Sequence, residues 1–188
     1  MARPPDPVRR QRLLDDAVDY VLKHGISDLS LRPLADALGT QAPVLLHHFG
    51  TKDRLVEELL RAVRDRVRAV GRAAELQETR SGLATVWQWV SDPQHGPLMR
   101  LFFEAYALAL RHPDQHADFL SHAVRDWLDE PLAAIDEISA TLALATVTGL
   151  LLDLLTSNDR DRVDAAMQRF LSILRRHADE AHTVRSTR

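Results

Sequence analysis

Helix starts and stops follow one another at short intervals between residues 30 and 52. Ser30 is a preferred residue type at helix N-caps, and Pro33 falls in the first turn that follows, where its missing N–H is not needed. Gly39 suits the end of this helix, and Pro43 and Gly50 mark the start and the end of a second one. Two short helices about a glycine-containing turn, packed on a preceding helix, form a helix-turn-helix. The segment therefore predicts a unit whose second helix enters the DNA major groove.

Longer amphipathic helices are predicted on both sides of this unit. The first ends at Gly25 and buries the apolar stripe Leu14, Ala17, Val18, Val21 and Leu22. The other is capped by Thr51, runs to about Glu75 and buries the stripe Leu55, Val56, Leu59, Leu60, Val63, Val67 and Val70. We therefore predict a DNA-binding domain at residues 1–51 and a helical domain at residues 52–188, with helix 52–75 connecting the two.

The rest of the chain also has the pattern of helices. No segment shows sustained period-two alternation of β-branched residues. Turn-forming residues separate five further predicted helices, at about residues 81–90, 97–111, 113–134, 138–156 and 161–181, with Pro131 as a predicted kink. The predicted fold class is all-α, with an N-terminal three-helix helix-turn-helix domain joined by a long helix to a larger C-terminal helical domain.

Composition excludes several classes of protein. The chain has no cysteine, which removes disulfide frameworks, thiolate zinc sites and cysteine nucleophiles. Its longest unbroken apolar run is far shorter than a bilayer span and its first residues lack the apolar core of a signal peptide, so we expect a cytoplasmic protein without a membrane partner. Lys and Arg number 12 against 10 Asp and Glu in residues 1–68, and 12 against 17 in residues 69–188. The N-terminal part is therefore the one that suits a phosphate partner.

Helical spacing gives the two short helices an inner and an outer face. The inner face is formed by Leu34, Leu38, Leu45 and Phe49. The outward candidates on the second helix are Ala42, Val44, His47 and His48. Near the start of the chain, Arg9, Arg10 and Arg12 form either a disordered basic arm that touches phosphate or a solvated tail.

The stretch LSLRPLADALGTQAPVLLHHFGTKDRLVEELL, within a segment from Arg10 to about Leu60, resembles the TetR family of bacterial regulators. In that family the start of helix 2, the recognition helix and a lysine at the start of helix 4 contact DNA. By matching motif positions, the resemblance implies DNA contacts from Arg32, Gln41, Ala42, Pro43, Val44, His47 and Lys52. Thr40 in the turn and His48 on the recognition helix complete the candidate set.

Two positions depart from the family pattern. A small hydroxyl residue often follows the proline and a polar or aromatic residue often precedes the His-Phe pair, whereas Val44 and Leu46 stand there in this chain. The change removes possible hydrogen bonds to phosphate and leaves apolar contact, for example with thymine methyl groups. Lys52, by contrast, lies beside the free backbone donors of a helix start, where an ammonium and amides can bind one phosphate together.

Aromatic residues are concentrated between residues 81 and 136. The family resemblance implies a pocket for a small apolar effector among these helices. The candidate ligand-binding residues are Trp87, Met99, Phe102, Phe103, Tyr106 and Trp127. Helical spacing alone would also place these side chains in an ordinary core, so both interpretations stay open.

The segment LALATVTGLLLDLLTSNDRDRVDAAMQRFLSIL resembles the last two helices of the family, which pair with those of a second subunit. The candidate interface residues are Val147, Leu150, Leu154, Met167, Phe170 and Leu174. A two-fold dimer also presents two recognition helices about one DNA turn apart, which strengthens weak binding to each half-site.

Neither a metal site nor a catalytic group is predicted, and no cofactor is expected. His112 and His116 are four residues apart, but solvated surface is the favoured interpretation, and Ser121 beside His122 lacks an orienting third residue. We therefore predict a homodimeric, non-enzymatic regulator that binds double-stranded DNA, a repressor released from a palindromic operator by a small apolar molecule. The alternative is a small-molecule-binding or interaction protein of the same fold without operator binding.

Overall fold

The computed structural model describes residues 6–75, 82–129 and 136–186, except the side chains of residues 70–75, 127–129 and 177–186. Its α-helices are α1 (Pro7–His24), α2 (Leu31–Ala37), α3 (Ala42–Phe49), α4 (Lys52–Glu75), α5 (Gly82–Val90), α6 (Gly96–Arg111), α7 (Ala117–Asp129), α8 (Glu137–Ser157) and α9 (Arg160–Ser186). A short 3-10 turn at Pro93–His95 precedes α6, and those ranges contain no β-strand. The predicted all-α class is confirmed.

Backbone contacts divide the chain into two compact units. One comprises Met1–Ala73 with Pro93–Asp126, and the other comprises Ala74–Asp92 with Trp127–Arg188. The first unit therefore holds α6 and most of α7 together with the helix-turn-helix. The predicted functional division after residue 51 is a different partition, and it stays a prediction.

Glycines end the three N-terminal helices, as predicted. Gly25, Gly39 and Gly50 have positive φ angles of 81°, 62° and 84°. A left-handed residue just past a helix end redirects the chain at low cost only when it lacks a Cβ. Thr51 also caps α4 as predicted, since its Oγ1 accepts a hydrogen bond from the Arg54 amide at 3.2 Å.

Ser30 is the N-cap residue of α2, as predicted, although its side chain makes no hydrogen bond to the first turn. The N-cap residue of α3 is Gln41. One predicted helix start was wrong: α7 begins at Ala117 and not at Pro113, because residues 112–116 form a turn in which the amides of Gln115 and His116 both donate to the His112 carbonyl. The predicted kink at Pro131 lies outside the described residues.

The first unit has one continuous core. It is built on the inner faces of α1 to α4, with Ala17, Val18, Leu34, Leu59 and Val63 fully buried. Leu101, Ala105 and Ala109 recur every four residues on α6 and add a stripe to this core. Small side chains on α6 allow its backbone to approach α1 closely, and these two helices pack together.

In the second unit, α8 packs against α9 and α5. Asp136 caps α8 by accepting from the Ser139 amide at 3.0 Å, and α8 ends at Asn158 in a left-handed conformation. The guanidinium of Arg162 then donates to both carboxylate oxygens of Asp153, at 2.7 and 2.8 Å, across the connection from α8 to α9. A bidentate pair of this kind fixes the relative direction of the two helices.

α8 has the length and the apolar composition of a membrane span, which the short apolar runs in the sequence did not suggest. Composition alone does not establish a span, because core helices of water-soluble proteins meet the same test. One side of α8 is in fact buried by its neighbours, through Ala140, Ala143, Val147, Leu151 and Leu154.

Candidate nucleic-acid interface

The two faces of α3 are clearly separated. Leu45 and Phe49 are buried together with Leu34 of α2, whereas Pro43 and His47 are exposed. Among the other predicted DNA-binding residues, Arg32, Gln41 and Lys52 are exposed and Thr40, Ala42, Val44 and His48 are half-buried. The buried face holds α3 against α2, so the opposite face of a short helix is presented as a rigid surface.

Leu46 belongs to this exposed surface, although it was not among the predicted contact residues. Its side chain is 38% exposed, and it lies three residues after Pro43, on the outer face of α3. Helical spacing could have identified it, because positions 43, 46 and 47 share one side of a helix. An exposed leucine there supplies methyl groups suited to the C5-methyl of thymine.

Arg10 connects three helices of the candidate interface. Its Nε donates to the His48 carbonyl at 3.2 Å, its Nη2 pairs with Glu58 of α4, and its guanidinium lies 5.0 Å from the centre of the Phe49 ring. Neither interpretation of this residue as part of a basic arm or tail was right. Arg9 and Arg12 lie in α1 as well, and both are exposed.

The N-terminus of α4 has the chemistry of a phosphate site. Lys52 is the first residue of this 24-residue helix and is exposed, and Arg54 beside it is also exposed. The first amides of a helix lack intrahelical acceptors and carry the positive end of the helix dipole. Two cations and free amides are therefore placed together, with the carboxylate of Asp53 as the one acidic group in that turn.

His48 is held neutral by its surroundings. Its Nδ1 is buried and has no hydrogen-bond partner among the described residues. This burial, helped by the nearby charges of His47 and Arg9, lowers the pKa of His48 from its ordinary value. His47, on the exposed side of α3, is the histidine of this helix that is placed to reach a phosphate.

Four of the six predicted ligand-binding residues lie on α6. Phe102 contacts Phe103, Tyr106 and Phe119 of α7 with ring centroids 6.3, 6.0 and 6.1 Å apart, and Tyr106 lies 5.9 Å from Phe119. The three α6 aromatics are half-buried, whereas Met99 and Phe119 are buried. We call Phe102, Phe103, Tyr106 and Phe119 the aromatic cluster; it lies in the first unit, as does Met99.

Of the two tryptophans in the predicted set, the structure describes the side chain of Trp87. Trp87 is buried in the second unit, where its indole N–H donates to the Asp164 carboxylate at 2.9 Å. Its polar atom is therefore used in packing α5 against α9. The side chain of Trp127 lies outside the described residues.

A separate groove of about 400 Å³ runs between α1 and α4 and contains none of the predicted ligand residues. Acidic and basic side chains such as Asp15, Glu58, Arg61 and Arg66 line its sides, with Leu14 and Val18 among its apolar lining. Its mixed charge does not match the apolar pocket that the sequence predicts.

The predicted interface residues on α8 and α9 are largely used within the chain. Val147, Leu154 and Met167 are buried, and Leu150, Phe170 and Leu174 are half-buried, because α8 packs on α9 within its own unit. A different set of large apolar side chains is exposed on these helices, namely Ile138 at 75%, Leu142 at 57%, Leu152 at 50% and Ile173 at 48%. We call these four residues the exposed apolar stripe.

The described part of the chain holds no cluster of three or more metal-ligating side chains. The expectation that His112 and His116 are both solvated was wrong for His116, which is buried. Near Ser121, the hydroxyl oxygen and the Asp118 carbonyl both contact the same Nδ1 of His122, at 3.0 and 2.8 Å. A catalytic triad needs the serine and the acid on opposite ring nitrogens, so this geometry is not one.

Comparison with known proteins points to one family. The family model "Bacterial regulatory proteins, tetR family" matches residues 13–59. The repressor KstR2 of Rhodococcus jostii is 39% identical over 57 residues, covering 30% of this chain and 28% of that protein. The regulator BetI of Cronobacter sakazakii is 26% identical over 113 residues, covering 57% and 56%. The chain thus matches between about a quarter and about half of the length of these curated relatives.

Solved structures extend the similarity along nearly the whole chain. The multidrug binding protein EbrR in complex with ethidium has a TM-score of 0.70 at 25% identity, covering 88% of this chain and 99% of that one. SCO7518 of Streptomyces coelicolor A3(2), described as a candidate transcriptional regulator, has a TM-score of 0.69 at 22% identity, covering 87% and 98%. The proteins to which this chain is similar are regulators and binding proteins, not enzymes.

Proposed function

We propose that the chain is a homodimeric, ligand-responsive transcriptional repressor, whose DNA-binding domain is formed around residues 13–59, the segment that matches the family model of tetR-family bacterial regulatory proteins. The exposed face of α3, held rigid by the buried Leu34, Leu45 and Phe49, is the observation on which the proposal rests. In this proposal, α3 enters the major groove with Gln41, Pro43 and His47 foremost, while Arg32 and Lys52 bind phosphates on either side.

Dimerisation is supported by the exposed apolar stripe. Four large apolar side chains of α8 and α9 that are about half exposed or more in one chain leave apolar surface in water, which a second copy would cover. Gly149 lies on α8 between Leu142 and Leu152, and a Cβ built on it would meet nothing within 4 Å. A glycine at that point leaves room for close approach of a partner helix.

The effector site is proposed at the aromatic cluster on α6 and α7. EbrR, a structural neighbour, is described in complexes with ethidium, proflavin and malachite green. These ligands are aromatic, and a surface of half-buried phenyl and phenol rings suits aromatic molecules. We therefore propose an aromatic, largely apolar effector that contacts Phe102, Phe103 and Tyr106, in a protein that acts in the cytoplasm.

The direct test is selection of bound duplexes from a random pool, followed by affinity measurements over a range of salt concentrations. We expect a palindromic sequence, bound about a thousandfold or more tightly than random duplex and with a steep salt dependence. If no duplex is preferred over random DNA, operator binding by this chain is abandoned. The alternative, a binding protein of the same fold that lacks operator affinity, would then be favoured, with Val44 and Leu46 as the cause.

The effector proposal has its own test. Malachite green is titrated into the protein in the absence of DNA, and the shift in the absorbance of the dye is followed. The proposal is supported if the dye binds saturably, if Phe102→Ala abolishes this binding, and if addition of the dye releases the selected operator from the protein. Binding that Phe102→Ala leaves unchanged places the ligand elsewhere.

A further inference from the structure

Glu104 makes a contact that joins α6 to the helix-turn-helix. Its Oε1 accepts hydrogen bonds from two successive backbone amides, Ile26 at 2.9 Å and Ser27 at 2.7 Å. Both amides belong to the connection between α1 and α2, 77 and 78 residues away along the chain. One oxygen atom thus satisfies two donors that follow the end of α1.

The connection is built around this carboxylate. Gly25 ends α1 with a positive φ, and a Cβ at this residue would lie 2.9 Å from Glu104 Oε1, inside the contact distance. The side chains of Ile26 and Leu29 are buried in the core of the unit, whereas Ser27 is exposed. The hydrogen bond to the Ile26 amide is partly buried, and a donor shielded from water is costly to leave unpaired, so an acceptor at this point stabilises the path from α1 to α2.

Glu104 itself is held in place by a rigid element. Leu101 and Ala105 flank it on α6 and are buried in the core that contains α1 and α2. On the same helix, Phe102 and Tyr106 belong to the aromatic cluster. A displacement of α6 would therefore move the carboxylate relative to the amides of Ile26 and Ser27.

From this geometry we infer that Glu104 is a positioning residue for DNA recognition, through which α6 sets the start of α2 and hence the orientation of α3. The inference rests on the proposed function, since it concerns how the same DNA-binding face is held. It gives α6 a route to the helix-turn-helix that does not pass through α4, the connecting helix predicted from the sequence. Ligand at the aromatic cluster would act on this route directly.

Three substitutions separate the possible roles of the carboxylate. Glu104→Gln retains an acceptor oxygen of the same reach, Glu104→Asp retains the charge but is one methylene shorter, and Glu104→Ala retains neither. Operator affinity is measured by fluorescence anisotropy at a temperature well below the thermal midpoint of every variant. We expect about tenfold weaker binding for the Ala and Asp variants and nearly unchanged binding for the Gln variant.

Hydrogen exchange of the Ile26 and Ser27 amides provides the second measurement. Faster exchange of these two amides in the Ala and Asp variants, with Gln as the rescue, supports positioning. Asp114→Ala, which removes an exposed carboxylate of the same unit, is the matched control and should change neither readout.

The inference is overturned if Glu104→Ala binds operator within about twofold of the unsubstituted protein, or if Gln and Ala lose affinity equally. If the unsubstituted protein prefers no duplex, the proposed function fails instead. Amide exchange then still tests the contact, and unchanged exchange in the Ala variant overturns it separately. If Glu104→Ala is too unstable to assay, Glu104→Gln and Glu104→Asp alone test the inference. We expect nearly unchanged operator affinity for the Gln variant and weaker affinity for the Asp variant, and equal affinities would overturn the inference.

Discussion

At the scale of single residues, two cations of the candidate interface have different roles: Arg10 holds helices together, whereas Lys52 is proposed to contact DNA. The guanidinium of Arg10 donates hydrogen bonds to the His48 carbonyl and to the Glu58 carboxylate, and it lies over the Phe49 ring. Its positive charge is thereby neutralised inside the unit, and its planar head bridges α1, α3 and α4. Lys52 has the opposite role, because its charge is left free on the surface.

Replacing Arg10 with alanine should destabilise the folded chain. The change removes a hydrogen bond, an ion pair and a cation–π contact from a partly exposed site, which together contribute on the order of 1–2 kcal/mol. Urea unfolding measures the loss. Arg12→Ala, an exposed arginine of the same helix, should alter the free energy of unfolding by less than about 0.5 kcal/mol. Equal effects from both substitutions would contradict the bridging role of Arg10.

Replacing Lys52 with alanine should weaken binding to every duplex by a similar factor. A phosphate contact contributes no sequence preference, and its loss reduces the slope of log affinity against log salt by about one. Titrations at several salt concentrations test this against Lys23→Ala, the other lysine of the chain, which is exposed near the end of α1. A slope identical to that of the unsubstituted protein would remove Lys52 from the interface.

Stability should fall in mildly acidic solution because of His116. The side chain is buried and its Nδ1 has no hydrogen-bond partner among the residues described. Burial lowers the pKa of His116 from 6.5, with His112 acting in the same direction and the carboxylates of Glu57 and Asp53 opposing it. The unfolded chain therefore binds the proton more readily, so stability is full above about pH 6.5 and declines as the pH falls toward the lowered pKa.

Urea titrations at a series of pH values measure this decline. His116→Leu, which cannot take up a proton, should show a smaller loss of unfolding free energy over the same range. A variant as acid-sensitive as the original chain would show that other groups are responsible.

At the scale of helices, features set by interactions between residues close in the sequence could be predicted, and features set by contacts between distant residues could not. Gly25, Gly39 and Gly50 could be identified as helix ends because a positive φ is a local requirement. Pro113 gave the wrong start for α7, since proline fits a turn as well as a first helical turn. The role of Glu104 could not be predicted, because the amides it bonds are 77 and 78 residues away.

The same limit applies to the faces of α8. This helix is apolar nearly all round, so periodicity could not tell which side its own chain would bury. The packing of α9 and α5 against α8 determines which side is buried. Val147 and Leu154 lie on the buried side, whereas Leu142 and Leu152 remain exposed.

Replacing Leu142 with glutamate should therefore convert the proposed dimer to monomer. A charge placed at the centre of an apolar contact loses hydration without gaining a partner. Sedimentation velocity at micromolar concentration reports the mass. Leu110→Glu, at an apolar residue of α6 that is 61% exposed, is the matched control and should leave the dimer intact. A dimer that survives Leu142→Glu, or an unsubstituted chain that is already monomeric, would contradict this interface.

At the scale of the whole molecule, the charge is distributed according to the proposed roles. The net charge of −3 arises because an acidic C-terminal part outweighs a slightly basic N-terminal part. Only the surface that faces phosphate needs to be positive, and the exposed cations Arg32, Lys52 and Arg54 lie around α3. The all-α class and the helix-turn-helix followed from the sequence, whereas the inclusion of α6 in the first unit depended on contacts distant in sequence.

The exposed apolar stripe has a quantitative consequence for a cell that makes few copies of this chain. If only paired chains bind operator, the number of competent molecules rises with the square of the chain concentration whenever most chains are single. Doubling synthesis would then raise the competent population about fourfold, and halving synthesis would lower it to about a quarter. Four side chains on two helices would in this way make repression respond more steeply than in proportion to protein dosage.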